Sequence, residues 1–155
     1  MSRSPIGRPM EILLVEDNLD DAGVTIHALK SENVRCRVTL VCDGDEAMNF
    51  LRREGVFARA PQPDLILLDM ELPKKDGGQV LAEIRAEEAL KNIPVLVLTA
   101  SAVHRAVLEA QHLRLDGFMT KPVSLEQFIG AVKSLRRSRL IELVLPADSP
   151  PKTPL

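Results

Sequence analysis

Four short apolar runs in this 155-residue chain each lead into a side chain capable of ionic or phosphoryl chemistry. Ile12 to Val15 is followed by Glu16 and Asp17, Leu65 to Leu68 by Asp69, Val95 to Leu98 by Thr99, and Gly117 to Thr120 by Lys121 and Pro122. Short apolar runs separated by helix-length amphipathic stretches are the pattern of buried parallel strands, and such sheets bind ligands outside the carboxyl ends of their strands. The spacing therefore predicts one pocket that combines three carboxylates, a hydroxyl and an ammonium. Glu16, Asp17 and Asp69 make a hard-oxygen set suited to Mg²⁺, which takes one or two protein carboxylates and keeps its other positions for water or a phosphoryl oxygen. Asp69, at the centre, is the candidate nucleophile. A carboxylate attacks a phosphoryl group once a metal and an ammonium, here Lys121, neutralise the charge that would repel the incoming anion. Thr99 is placed to donate a hydrogen bond to a phosphoryl oxygen. Without metal, crowding predicts mutually raised carboxylate pKa values only partly relieved by Lys121.

The elements that must position these groups read as five strand-helix units. Ile12 to Val15 leads to a helix near residues 20–32 with Ala22, Ile26 and Leu29 inward. Arg37 to Cys42 is the second strand; Asp43-Gly44 marks a turn, and Ala47, Met48, Phe50 and Leu51 support a helix ending near Gly55. Pro61 and Pro63 punctuate the connector to the Asp69 strand. A helix carrying Val80, Leu81 and Ile84 follows Leu72-Pro73-Lys74-Lys75-Asp76-Gly77, and Pro94 resets the chain for the strand ending at Thr99. Residues 102–113 are weakly patterned as a helix, whereas Leu125, Phe128, Ile129, Val132 and Leu135 form a clear stripe. This divides the chain into a flexible segment over 1–9, one α/β domain over 10–137, and an extension over 138–155. That extension is apolar to residue 145 and disordered beyond.

Composition narrows the function classes. A chain 45% hydrophobic and 27% charged can bury one domain's core, and a net charge of −2 gives no global attraction to nucleic acid or anionic membrane. The basic cluster Arg136, Arg137 and Arg139 reads as cations near a helix end. No apolar run reaches membrane-spanning length and residues 1–9 lack a signal-peptide core, which points to a cytoplasmic protein. Cys36 and Cys42, on one strand, would lie too far apart to bridge each other. His104 and His112 are eight positions apart, about 12 Å of helical rise, too far for one metal. His27 reads as a surface residue. There is no G-x-S-x-G elbow, Walker loop or G-x-G-x-x-G fingerprint.

Each singled-out residue also has a plainer explanation. Asp69 could cap a helix, Thr99 could do the same, and Lys121 could be a surface charge. Their joint occurrence at four predicted strand ends is what carries weight. Glu16-Asp17, Asp69, Thr99-Ala100-Ser101, Phe118 and Lys121-Pro122, in this order and spacing, resemble the receiver domain of two-component response regulators over about residues 10 to 137. The resemblance implies a flavodoxin-like (βα)5 doubly wound parallel sheet of order 2-1-3-4-5. It implies phosphoryl transfer from a sensor histidine kinase to Asp69, with Mg²⁺ on Glu16, Asp17, Asp69 and the main-chain carbonyl of Glu71, and Lys121 on the phosphate. Phosphorylation and dephosphorylation would be self-catalysed, and the protein would signal through protein contacts rather than act as an enzyme on a substrate. Thr99 would pair with Phe118 as a switch, although Phe118 reads equally well as a core aromatic. The side chain of Glu71 sits at the rim, where it would either hinder or help orient an attacking water.

Leu51-Arg52-Arg53-Glu54-Gly55, Pro63 to Asp69 and Leu72 to Gly77 are further similar to small regulators that partner bacterial phytochromes. That resemblance implies a phytochrome-type kinase as partner. Leu140, Ile141, Leu143, Val144 and Leu145 must be covered, either by folding back or by a second copy in a homodimer, the reading preferred here. An alternative enzyme reading is a haloacid dehalogenase-type phosphatase, which also uses an Asp nucleophile with Thr or Ser, Lys and Mg²⁺. That family carries D-x-D on its first strand, where this chain has Glu16-Asp17.

Overall fold

Apolar runs without alternation make strands covered on both faces. The computed structural model, described over residues 8–30, 35–99 and 116–135, contains five such strands. They are β1 (Met10–Val15), β2 (Cys36–Val41), β3 (Leu65–Asp69), β4 (Val95–Thr99) and β5 (Gly117–Thr120). All pair in parallel in one sheet of order β2-β1-β3-β4-β5, the expected doubly wound arrangement. Among the described residues four α-helices accompany it: α1 (Leu19–Leu29), α2 (Gly44–Arg52), α3 (Gly77–Ala86) and α4 (Leu125–Ser134). Each is started by a side-chain cap, from Asn18, Asp43, Asp76 and Ser124, that accepts the backbone N–H three residues on. The loops at the carboxyl ends of the first three strands and of β5 thus turn directly into helices at fixed points.

Alternate strand residues feed two cores. Met10, Ile12 and Leu14 of β1 join Leu65, Leu67, Leu96, Leu98 and Met119 beneath α1 and α4. Leu13, Val15, Ile66, Leu68, Val95 and Val97 point the other way, against α2 and α3. Each fully buried Leu, Ile or Val contributes about 1.5–3 kcal/mol, so the strand ends are anchored in fully buried apolar segments. At the opposite end of the sheet, Arg85 of α3 pairs with Asp116 Oδ2 at 2.8 Å, and the same oxygen accepts the Val95 N–H at 2.7 Å. This ties α3 to the starts of β4 and β5.

Several boundaries differ from expectation for local reasons. α1 ends at Leu29, with Lys30 extended, rather than near residue 32. β2 stops at Val41 because the Cys42 N–H leaves the ladder for Glu46 Oε1 at 2.8 Å. α2 stops short of Gly55: Arg53 takes a left-handed φ of 58° and a 3-10 turn, Gly55–Phe57, follows. Thr25, polar and unforeseen, is buried on α1 alongside Ala22 and Leu29. The helix expected over 102–113, His104, His112, the cluster at 136–139 and the extension over 138–155 lie outside the described residues. So do residues 1–7, whereas Arg8 grips Asp64 through two hydrogen bonds of 2.7 and 2.9 Å.

Candidate functional site

Register dictates which strand-end residues meet. Val15 pairs with Leu68, so Glu16 and Asp69 lie side by side one step further on; Thr99 pairs with Thr120, which sets Lys121 beside the pocket. The Glu16 N–H extends the β1–β2 ladder by bonding Val41 O at 3.0 Å, and the Lys121 N–H bonds Thr99 O at 3.0 Å. Both side chains therefore leave a backbone that is already fixed. Asn18 completes the acidic loop: its N–H bonds Glu16 Oε2 at 3.2 Å while its Oδ1 caps α1 through the Asp21 N–H at 3.0 Å.

Ligand oxygens of Glu16, Asp17 and Asp69 all lie within 4.8 Å of one another. Glu16 is fully buried and Asp69 is 5% exposed, while Asp17 faces solvent. Lys121 Nζ sits 2.6 Å from Glu16 Oε1, 3.2 Å from Asp69 Oδ1 and 3.2 Å from Asp21 Oδ2. At 2.6 Å the Lys121 ammonium is the counter-ion of Glu16 Oε1, an oxygen buried away from solvent. An all-oxygen donor set with one solvent-facing member fits a hard divalent ion that retains water.

The expected carboxylate elevation is seen at Glu16, whose pKa is pushed up to about 7. Burial is the largest cause; the Lys121 ammonium pulls the value down and the Asp69 charge pushes it up. Burial also depresses Lys121, but bonding to Glu16 and the charges of Asp69 and Glu16 outweigh it, so this ammonium is held more firmly than an ordinary lysine.

Thr99 is 6% exposed at the end of β4. Phe118, opposite Val97, is half-buried against the core on the α2 and α3 side. Glu71 is exposed on the loop leaving Asp69, and Met70 and Leu72 pack partly against that same core. Lys74 adopts φ 67° and pairs with Asp43 at 3.5 Å, and Lys75 pairs with Glu83. Two glycines make this loop possible. A Cβ at Gly44 would overlap the Lys75 carbonyl oxygen, and one at Gly77 would lie 2.5 Å from Asp69 O and 2.8 Å from Met70 Cα. Gly77→Ala is accordingly expected to cost about 1–3 kcal/mol, the range for forcing atoms into a filled interior. A urea midpoint equal to the parent's would show that the loop yields freely.

Sequence reasoning did not single out Asp21 or Gln127. Gln127 Oε1 accepts the Thr120 N–H at 3.0 Å and its Nε2 donates to Pro122 O at 3.1 Å, bracing the turn that carries Lys121, whose peptide to Pro122 is cis. The spacing Ser124-x-x-Gln127 is a capping signal that could have flagged it.

Residues 12–133 match the family model for the response regulator receiver domain. Response regulator Rcp1 of Synechocystis sp. is 39% identical over 139 residues, covering 90% of this chain and 95% of Rcp1. The structure of its Mn²⁺-bound form aligns with a TM-score of 0.70 over 90% of this chain and 100% of that one. The phosphorylated cyanobacterial phytochrome response regulator RcpA is 42% identical, with a TM-score of 0.71 over 90% and 99% of the two chains. The bacteriophytochrome response regulator AtBRR is 35% identical, with a TM-score of 0.78 over 83% and 93%.

Proposed function

Because the chain belongs to the response regulator receiver family, we propose that Asp69 accepts a phosphoryl group from a sensor histidine kinase. Mg²⁺ would be held by Glu16, Asp17, Asp69 and the main-chain carbonyl of Glu71. The observation that carries this reading is the Lys121 ammonium, 3.2 Å from Asp69 Oδ1, inside a three-carboxylate cluster spanning less than 5 Å. Rcp1 in its Mn²⁺-bound form and RcpA in its phosphorylated form support it by likeness.

An Asp69 carboxylate oxygen attacks phosphorus in line with the bond to the kinase histidine. The new O–P bond forms as the P–N bond breaks, and the imidazole leaves with the electron pair and takes a proton from solvent. Mg²⁺, when bound, neutralises phosphoryl oxygens and the acidic cluster. Lys121 holds charge on a phosphoryl oxygen, and Thr99 donates its hydroxyl to another. The movement of Thr99 towards the phosphoryl group lets Phe118 turn inward, biasing two conformations of the surface formed by the helix expected over residues 102–113, β5 and α4. Both gain and loss of the phosphoryl group are self-catalysed in this reading.

The haloacid dehalogenase alternative lacks such support. The family match is to the receiver, and the candidate nucleophile ends β3 rather than β1. Among the described residues no helix is long and apolar enough to cross a membrane, and the kinase would meet the protein in the cytoplasm. A phytochrome-type kinase is the partner that the likeness to AtBRR and RcpA favours.

Incubation with acetyl phosphate, phosphoramidate or a phosphorylated kinase in Mg²⁺, followed by intact mass, tests the proposal. A single, slowly hydrolysing phosphoryl adduct is expected. Rapid multiple turnover would point to a phosphatase, and no adduct from any donor would overturn the assignment.

The apolar run from Leu140 to Leu145 supports a symmetric homodimer as part of the same proposal. Truncation after Arg137 is expected to give a monomer by light scattering that still phosphorylates. A full-length protein already monomeric at high micromolar concentration, with and without phosphate, would replace the dimer by a fold-back.

A further inference from the structure

Among the described residues Lys121 pairs with three carboxylates, and only two of them belong to the cluster that shares a metal-sized space. Nζ pairs with Glu16 and Asp69 on its inner side and donates a hydrogen bond to Asp21 Oδ2 at 3.2 Å on its outer side. The surroundings of the three carboxylates differ sharply: their side chains are 0% exposed at Glu16, 7% at Asp69 and 45% at Asp21. Asp21 is not among the residues whose oxygens converge with those of Glu16, Asp17 and Asp69. Its position is nonetheless fixed, because its own N–H bonds the capping Asn18 and so locks the first turn of α1. A groove of 230 Å³, lined by Asp21, Val24, Thr25, Lys121, Pro122 and Val123, brings water to this outer side.

Without metal, the ammonium is the counter-ion of Glu16 and Asp69. A divalent cation entering the pocket claims the same oxygens, so lysine and metal compete for them, and like charges a few ångströms apart repel strongly in a dry site. An ammonium left there without a partner would be an uncompensated buried charge, which is strongly unfavourable. A solvated carboxylate already within hydrogen-bond distance removes that penalty at little desolvation cost.

We propose that Asp21 is a positioning residue that takes over the Lys121 ammonium when a divalent cation claims Glu16 and Asp69, so that metal and lysine occupy the pocket together. This rests on the reading that the acid cluster binds Mg²⁺. It assigns Asp21 no contact with the phosphoryl group and no place among the metal ligands.

A double-mutant cycle on Mg²⁺ affinity, measured by titration calorimetry, separates positioning from simple charge. Asp21→Asn is expected to weaken Mg²⁺ binding about fivefold in the parent, the scale of one partly exposed ion pair. In a Lys121→Ala background the same change should have less than about a twofold effect, because the ammonium it serves is gone. Asp21→Glu, which keeps the carboxylate at the mouth of the pocket, should restore affinity to within about twofold of the parent. Unfolding midpoints of the Asp21 variants should match the parent's, since the substitutions lie on a half-exposed helix turn. Equal weakening in both backgrounds would show that Asp21 acts only as a distant charge and would overturn the proposal, as would unchanged affinity in the Asp21→Asn protein. A parent protein that binds no Mg²⁺ would overturn the metal reading itself, a result distinguishable from either pattern among the variants.

Discussion

Asp69→Asn is expected to abolish phosphorylation from every donor while leaving the fold standing. The side chain ends the central strand with 5% exposure, flanked by β1 and β4, so a near-isosteric amide fits the same space without opening a cavity. An amide oxygen is too weak a nucleophile to attack phosphorus, and no other carboxylate takes over its geometry. Asp17 faces solvent, and Glu16 is sealed beneath the pocket against Lys121. The substitution also removes one negative charge from a crowded cluster, so stability in metal-free buffer is expected to equal or exceed the parent's. Mg²⁺ affinity should fall, because one of three converging carboxylates is gone. Intact mass after incubation with phosphodonor, together with urea unfolding in chelator, checks both halves. Phosphate attaching to the Asp69→Asn protein at the parental rate would mean that the acceptor lies elsewhere.

The placement of the candidate residues was legible in the sequence where they sit at the end of a continuous apolar run, because such a run fixes both the strand and the end of the sheet to which its last residue belongs. Asp17, Asp69, Thr99 and Lys121 were all singled out that way, and they lie at or just beyond the carboxyl ends of β1, β3, β4 and β5. The sheet order came from the resemblance rather than from periodicity, since nothing in five apolar runs says which lies beside which. What escaped notice was set by through-space relations. Gly44 looked like a turn residue, yet its lack of a Cβ is demanded by Lys75, on a loop far along the chain. Asp116 and Arg85 are 31 positions apart, and their pairing becomes visible only once α3 and β5 are placed. Asp21 meets Lys121 across 100 positions, so a first-turn acid of α1 gave no sign of serving a lysine after β5. Thr25 is buried on α1 beside Ala22 and Leu29, and its hydroxyl kept it out of a stripe read from apolar periodicity. Glu16 was recognised as a ligand candidate, but its complete burial depends on Val41 accepting the next ladder bond beyond β1.

Lys121→Ala should affect stability more than any single surface change, and in a way that depends on metal and pH. The ammonium is 15% exposed and is the counter-ion of a fully buried glutamate and a nearly buried aspartate. Removing one partner from such a group leaves uncompensated buried charge, with a typical cost of about 3–5 kcal/mol. The solvent reaching the pocket through Asp17 and Asp21 places the expected loss at the lower end of that range. Glu16 sets the pH dependence. Its folded pKa of about 7 stands above the ordinary 4.5, so between those values the folded protein binds more protons than the unfolded chain. Stability contributed by this group is therefore full below the ordinary value and is lost as pH rises towards 7. Without the ammonium, which now pulls that pKa down, the loss should be larger and continue to higher pH. Unfolding in chelator is thus expected to show a small difference between Lys121→Ala and parent at about pH 5 and a large one at about pH 8. Saturating Mg²⁺ should close much of that gap, because the ion replaces the missing positive charge and its affinity for the variant should equal or exceed that for the parent. Phosphorylation should remain impaired even so, since a metal-loaded pocket would still lack the ammonium proposed to neutralise the incoming phosphoryl group. A Lys121→Ala protein as stable as the parent at high pH in chelator would show that Glu16 is protonated or solvated there without help from the lysine. The ion-pair account of the pocket would then be wrong.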